Sequence, residues 1–282
     1  MTSIDYEAEY NNRRRVPDHA DISARWQAAS ADYRRTAKAA ALLDRPYGRA
    51  ERQRYDLFPA GDAKAAPLLV FIHGGYWQRG DRKDYSFLAR AFNAEGITVA
   101  VPSYSLCPAV SVMDIVGEMR QCLAALWKDT GRRPVVTGNS AGGHLTAAMV
   151  GTDWSRVAAG LPADLVRAGC AISGIFDLAP LIGTSIDEAL HLNAASAREA
   201  GPLFWTPPKG RTLAAAVGGD ESAEFLRQNA TIAETWRRGG VDAESMVVPG
   251  TNHFTVVDQL AEPGTALHTR VADLARRFSG GG

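Results

Sequence analysis

The stretch Gly138-Asn139-Ser140-Ala141-Gly142 constrains this chain more than any other. It follows a short apolar run, Pro134-Val135-Val136-Thr137. It precedes Gly143-His144-Leu145-Thr146-Ala147-Ala148-Met149, which reads as a helix. A serine on a sharp strand-to-helix turn is held up and exposed as a nucleophile. Its neighbours must be small, because bulky ones would strike the strand and the helix. The pattern G-x-S-x-G arises by chance when it stands alone. Between a strand and a helix it gains weight, and the remaining chain must then supply a base, an acid and donors for an oxyanion.

Apolar runs alternate with helical patterns through most of the sequence. Leu68-Leu69-Val70-Phe71-Ile72 is continuously apolar, as expected of a strand buried on both faces. Ile97-Thr98-Val99-Ala100-Val101, Cys170-Ala171-Ile172-Ser173, Leu213-Ala214-Ala215-Ala216-Val217 and Glu244-Ser245-Met246-Val247-Val248 read as further strands. Helices are predicted over 114–127, with Ile115, Met119, Leu123 and Leu126 on one face, over 222–237 with Ser222 as N-cap, and over 265–278. This rhythm predicts an α/β fold, a mostly parallel sheet with helices on both faces.

Residues 1–46 read as an N-terminal helical cap segment, helical over 22–43 until Arg45-Pro46-Tyr47-Gly48 breaks it. Residues 47–282 form the main domain. Residues 178–211 depart from its rhythm, with three prolines late in the stretch and Phe204 and Trp205 beside them. They read as a lid-like insertion over the carboxyl end of the sheet.

The chain has 282 residues, near the upper size for one hydrophobic core. Its 31 basic residues cancel 31 acidic ones, which argues against nucleic acid or an anionic membrane as partner. Cys107, Cys122 and Cys170 contain no C-x-x-C pair, so neither a zinc site nor a dithiol site is suggested. The start, Met1-Thr2-Ser3-Ile4-Asp5-Tyr6-Glu7, lacks the apolar core of an export signal. The expectation is a cytoplasmic protein that takes a small-molecule substrate, with a homodimer left open.

A serine hydroxyl needs a histidine to take its proton and an acid to hold that histidine in the right tautomer. In open α/β sheets these groups sit just beyond the carboxyl ends of strands. His253 meets that requirement, in the loop Pro249-Gly250-Thr251-Asn252-His253-Phe254 after the last strand. His144 lies in the helix after Ser140, which points it away from the serine. His73 opens a glycine pair with another role. His19, His191 and His268 fall in terminal or inserted segments.

For the acid, Asp220 follows a strand through Gly218-Gly219 and precedes His253, as the order serine–acid–histidine requires. Asp177 is the rival, with a turn cap as its plainer role. Glu221, next to Asp220, also stays open. Donors for the oxyanion are assigned to Gly74, Gly75 and the Ala141 N–H, since His73-Gly74-Gly75-Tyr76-Trp77 directly follows a strand two before the nucleophile. A Gly-Gly pair is otherwise ordinary turn punctuation. Tyr76, Trp77, Tyr104 and Trp205 are candidates for an aromatic pocket, though aromatic residues equally fill cores.

With these residues in place, the chain resembles the α/β-hydrolase superfamily. Within it, the chain looks like the arylformamidase (kynurenine formamidase) group and the neighbouring hormone-sensitive-lipase-like esterases. The resemblance rests on His73-Gly74-Gly75-Tyr76-Trp77, on Gly138-Asn139-Ser140-Ala141-Gly142-Gly143-His144-Leu145, on Asp220 and on Asn252-His253-Phe254. The tryptophan two after the glycines is the arylformamidase-like feature, and the esterases more often carry a third glycine. Asn139 departs from the histidine usual before the serine in such relatives.

The resemblance implies hydrolysis of an N-formyl aromatic amide by Ser140, Asp220 and His253, with no metal or organic cofactor. A carboxylesterase for short acyl esters would use the same residues. A non-catalytic ligand-binding protein on the same fold is a third reading, because fold alone does not confer activity.

Overall fold

The computed structural model describes residues 4–61 and 65–280. The first three residues of the N-terminal segment and the last two glycines lie outside the described residues. Among the described residues, eight strands form one sheet: β1 (Leu42–Pro46), β2 (Arg54–Phe58), β3 (Leu68–Ile72), β4 (Thr98–Pro102), β5 (Val135–Asn139), β6 (Ala168–Ile172), β7 (Thr212–Gly218) and β8 (Asp242–Val248). Their order in space is β1-β2-β4-β3-β5-β6-β7-β8. Every pairing from β4 through β8 is parallel, while β1 and β2 run antiparallel at one edge.

The apolar run of β3 explains why the sheet is covered twice. Side chains alternate across a strand. Leu68, Val70 and Ile72 join one buried cluster, and Leu69 and Phe71 join the other. The helix Val112–Thr130 covers the first face with Ile115, Met119, Leu123 and Leu126. Ser111 and Asp114 close its start as a capping box, and Gly131 ends it at φ 65°. The helix Ala266–Phe278 covers the second face, capped by Thr265.

The N-terminal segment differs from its prediction. Its long helix is His19–Ala37, preceded by the short helices Tyr6–Tyr10 and Asn12–Arg15. Residues 42–46, expected to be the end of the helix (to Leu43) and its break at Arg45-Pro46, instead pair with β2 as strand β1. The helix ends in a turn at Lys38-Ala39-Ala40, after which Leu42–Pro46 are held by cross-strand pairing and by Asp56, whose carboxylate accepts the Asp44 N–H at 2.8 Å. Asp56 is fully buried and also receives Arg34 and Arg82. Arg34 belongs to the long helix, so this carboxylate ties that helix to the sheet.

The segment is anchored at further points. Trp26 Nε1 donates to Asp258 at 2.7 Å, and Arg25 pairs with the same carboxylate at 3.0 Å. Ser30 donates to the Asp84 carbonyl at 2.8 Å. Tyr10 packs against Phe225 and donates its hydroxyl to Glu224 at 2.9 Å. The segment is therefore a fixed part of the domain.

Candidate active site

Ser140 sits between β5 and the helix Ala141–Val150 at φ 60°, ψ −120°, a strained conformation for a residue with a side chain. The strain is held from both sides. Its N–H donates to Ile172 of β6 at 2.8 Å, and its carbonyl accepts from His144 at 3.0 Å. The helix that follows leaves its first-turn N–H groups, that of Ala141 among them, without intrahelical acceptors.

His253 lies beyond β8, where Asn139 Nδ2 donates to its carbonyl at 3.4 Å. Phe225 packs on its ring at 4.6 Å between centroids. The imidazole Nδ1 lies 2.6 Å from Glu221 Oε2. A carboxylate only accepts here, so Nδ1 carries the hydrogen and Nε2 of the neutral ring keeps its lone pair. The other Glu221 oxygen accepts the Gly218 N–H at 2.8 Å and the Ser173 hydroxyl.

Asp220 was the expected acid, and the structure corrects this. Asp220 is exposed, and only its backbone N–H is engaged, donating to the Thr251 carbonyl at 2.9 Å. The turn after β7 closes through Glu221 N–H to the Gly218 carbonyl at 3.2 Å. That fold-back aims residue 221 inward and residue 220 at solvent. Asp177, the rival, caps the Ala179 N–H at 3.0 Å.

The His73-Gly74-Gly75-Tyr76-Trp77 turn lies against the serine. A Cβ on Gly74 would stand 3.1 Å from Ser140 Cβ and 2.7 Å from the Asn139 carbonyl oxygen. Gly75 takes φ +116°, and Tyr76 and Trp77 follow at φ 51° and 57°. Two bulky residues in the left-handed region mark a backbone held by its surroundings. Among the described residues, neither the Gly74 nor the Gly75 N–H has a backbone or side-chain acceptor.

Ser140, His253, Gly74 and Gly75 open into one cavity of about 210 Å³. Its aromatic walls are Trp26, Tyr76, Tyr85 and Phe254. Of the four aromatics expected there, only Tyr76 lines it. Trp77 is fully buried, edge-on to the His144 ring at 4.9 Å. Tyr104 stacks on His73 at 4.3 Å and donates to the His73 carbonyl at 2.9 Å. Trp205 donates its Nε1 to the Glu199 carbonyl at 2.8 Å, outside the cavity.

No residue of 178–211 lines this cavity. That segment forms short helices whose Leu181, Ile186 and Leu190 join the core. Part of the cavity wall comes instead from the N-terminal segment, through Asn12, Trp26 and Gln27. Trp26→Ala should raise KM for an aryl substrate about 3–10-fold, in line with the usual worth of an aromatic contact. Steady-state kinetics with kcat resolved from KM checks this.

His144 points away from the serine, as expected, with Nε2 donating to the Ala200 carbonyl at 2.7 Å. Burial pushes both His73 and His144 down to about 4, which leaves them neutral at neutral pH. Tyr76, in contact with Tyr10 and with Asn12 Nδ2 at 2.9 Å, is held well above the ordinary tyrosine range by burial.

A serine on a strained strand-to-helix turn, a glycine turn beside it, and a carboxylate–histidine pair beyond the last strands define an α/β hydrolase. The chain belongs to the α/β-hydrolase superfamily. The BD-FAE family model matches residues 56–158. Kynurenine formamidase of Danio rerio is 28% identical over 229 residues, covering 78% of this chain and 77% of that protein. Kynurenine formamidase of Drosophila melanogaster is 27% identical, covering 74% of each chain. A crystal structure from Silicibacter sp. TM1040, of a protein provisionally named a thioesterase, superposes with a TM-score of 0.86. It is 32% identical, covering 95% of this chain and 99% of that one. An esterase of Pyrobaculum calidifontis shares the fold at a TM-score of 0.70 and 16% identity, covering 92% of each chain. Among the described residues, no helix is long and apolar enough to cross a membrane.

Proposed function

We propose that this chain is a serine hydrolase of small aryl formamides, resembling N-formylkynurenine, and that it works through an acyl-enzyme on Ser140. The observation that carries the mechanism is the 2.6 Å contact between Glu221 and His253 Nδ1, with His253 lining the same cavity as Ser140. That contact leaves Nε2 as the free base. Ser140 Oγ attacks the formyl carbon while His253 takes its proton. The carbonyl oxygen gains the electron pair and is held by the N–H groups of Gly74, Gly75 and Ala141. Collapse of this intermediate breaks the C–N bond, and His253 returns the proton to the departing amine. Water, deprotonated by His253, then attacks the formyl ester. Formate leaves and Ser140 regains its hydrogen.

The aryl preference is supported by the four aromatic walls, and the formamide preference by the similarity to kynurenine formamidases over three quarters of the chain. A second reading, thioester or ester hydrolysis, is favoured by the likeness to the TM1040 protein. Both readings use the same oxyanion chemistry, so substrates must separate them. N-formylkynurenine is expected to turn over with kcat/KM at least about tenfold above p-nitrophenyl acetate and a short acyl-CoA thioester. Formamide turnover at background with brisk ester or thioester cleavage would reverse the assignment. A fluorophosphonate probe should label the wild type and spare Ser140→Ala. Equal labelling of both, or none of either, would remove Ser140 as nucleophile.

A further inference from the structure

We propose that Arg13 and Arg79 form an anion subsite at the mouth of the Ser140 cavity, which takes a carboxylate carried by the substrate. The proposal rests on the reading of that cavity as a hydrolase site and specifies what else its substrate must bear.

The two arginines come from separate parts of the chain. Arg13 lies on the helix Asn12–Arg15 of the N-terminal segment. Arg79 closes the turn that carries Gly74 and Gly75, its backbone N–H donating to the Gly75 carbonyl at 3.2 Å. Both line the cavity that holds Ser140 and His253. Burial disfavours the charged form of Arg79, and Arg13 is near enough to add to that effect.

Among the described residues, neither guanidinium has a carboxylate within ion-pair distance or a side-chain hydrogen bond. Among the described residues Arg14 and Arg15 likewise lack an ion pair, whereas other arginines of these segments have one. Arg25 pairs with Asp258, Arg34 with Asp56, Arg52 with Asp81, and Arg82 with Asp44 and Asp56. Acidic residues equal basic ones in this chain, so pairing partners are not scarce. The one carboxylate among the lining residues, Asp84, accepts the Asp81 N–H at 3.2 Å within a capping box and meets neither arginine.

Two cations brought together without a counter-charge repel, and a bound anion reverses the sign of that interaction. Guanidinium groups match the planar fork of a carboxylate. An aryl substrate acylating Ser140 would lie along the aromatic walls, with a carboxylate on its leaving portion reaching the mouth. The subsite would thus select acidic aryl substrates over neutral ones.

The test uses two matched pairs on the full-length chain: N-formylanthranilate with its methyl ester, and a p-nitrophenyl ester bearing a carboxylate with its neutral counterpart. The variants are Arg79→Gln, Arg13→Gln, the double variant and Arg79→Lys. For the acidic member of a pair, the double variant should lose about 10–100-fold in kcat/KM, mostly through KM, as expected for charge-assisted contacts. The neutral member should change less than about twofold, and Arg79→Lys should recover part of the loss. Raising NaCl from about 50 mM to about 500 mM should raise KM for the acidic member alone.

Equal losses on both members, or no loss on either, would overturn the subsite. If only the esters are cleaved but the acidic ester depends on the arginines, the subsite stands and the formamidase reading falls. Formamide cleavage blind to the carboxylate gives the reverse outcome.

Discussion

Glu221→Gln is expected to lower kcat/KM by about 10³–10⁴-fold, while Asp220→Asn changes it by less than about twofold. The difference follows from one hydrogen atom. Glu221 is 8% exposed and can only accept from His253 Nδ1, which places the ring hydrogen there. A glutamine can turn its amide nitrogen toward Nδ1 and donate instead. The ring then carries its hydrogen on Nε2, and the lone pair that must take the serine proton is gone. The glutamine also gives up the negative charge that stabilises the imidazolium formed during attack. Asp220 has neither part to play, since its side chain is in solvent and only its N–H bonds the Thr251 carbonyl. Both substitutions are close in volume to the native residues, so matched thermal melting would show that activity, not folding, was lost. Glu221→Asp provides a graded control, because the shorter chain keeps the charge but shortens the reach. An Asp220→Asn variant that loses activity while Glu221→Gln keeps it would return the acid role to Asp220.

That one-residue error shows where sequence reading stops. The turn Gly218-Gly219-Asp220-Glu221 places two adjacent carboxylates after a strand, and chain order favours either. What separates them is the Glu221 N–H folding back on the Gly218 carbonyl, with Ser173 and Gly218 donating to the side chain. These are tertiary facts. Ser140, His253 and the glycine pair were legible because strand ends and a fixed chain order position them. The parallel strands were legible because burial on both faces forces continuous apolar runs such as Leu68–Ile72. β1 and β2 were not: β1 is an exposed antiparallel edge that carries Arg45, and in β2 Arg54 and the buried Asp56 interrupt the apolar run. The pocket was the least legible part. Trp26 is one of three buried residues on a largely polar helix, and the anchoring of that helix, by Asp56 and Asp258 among others, brings it to the cavity that holds the serine. Trp77, the more suggestive aromatic in the motif, turns inward because residues 75–77 all take positive φ.

Gly142→Ala, a change of one methyl group, should destabilise the protein by about 3 kcal/mol or more and lower kcat/KM by about a hundredfold or more. The helix after Ser140 begins so close to β3 that Gly142 rests on the backbone of that strand. A Cβ there would overlap the Ile72 carbonyl oxygen, 2.7 Å from its carbon and 2.9 Å from the His73 carbonyl oxygen. These obstructing atoms are backbone, so no rotamer change relieves them. Either the helix lifts off β3 or the β3 end and its glycine turn move away. Lifting the helix displaces Ser140 and the Ala141 N–H together. Moving the turn displaces Gly74, where an added Cβ would stand only 3.1 Å from Ser140 Cβ. Nucleophile and oxyanion donors are thus held by one backbone contact, and misplacement of about 1 Å in such a constellation costs around a hundredfold in rate. For a chain of this size the stability loss corresponds to a fall in Tm of about 6–12 °C, read by calorimetry or circular dichroism. Gly280→Ala, where a Cβ meets nothing within 4 Å, is the matched control and should leave both Tm and kcat/KM unchanged. A Gly142→Ala protein with native Tm and full activity would show that the helix and strand have room the structure does not give them.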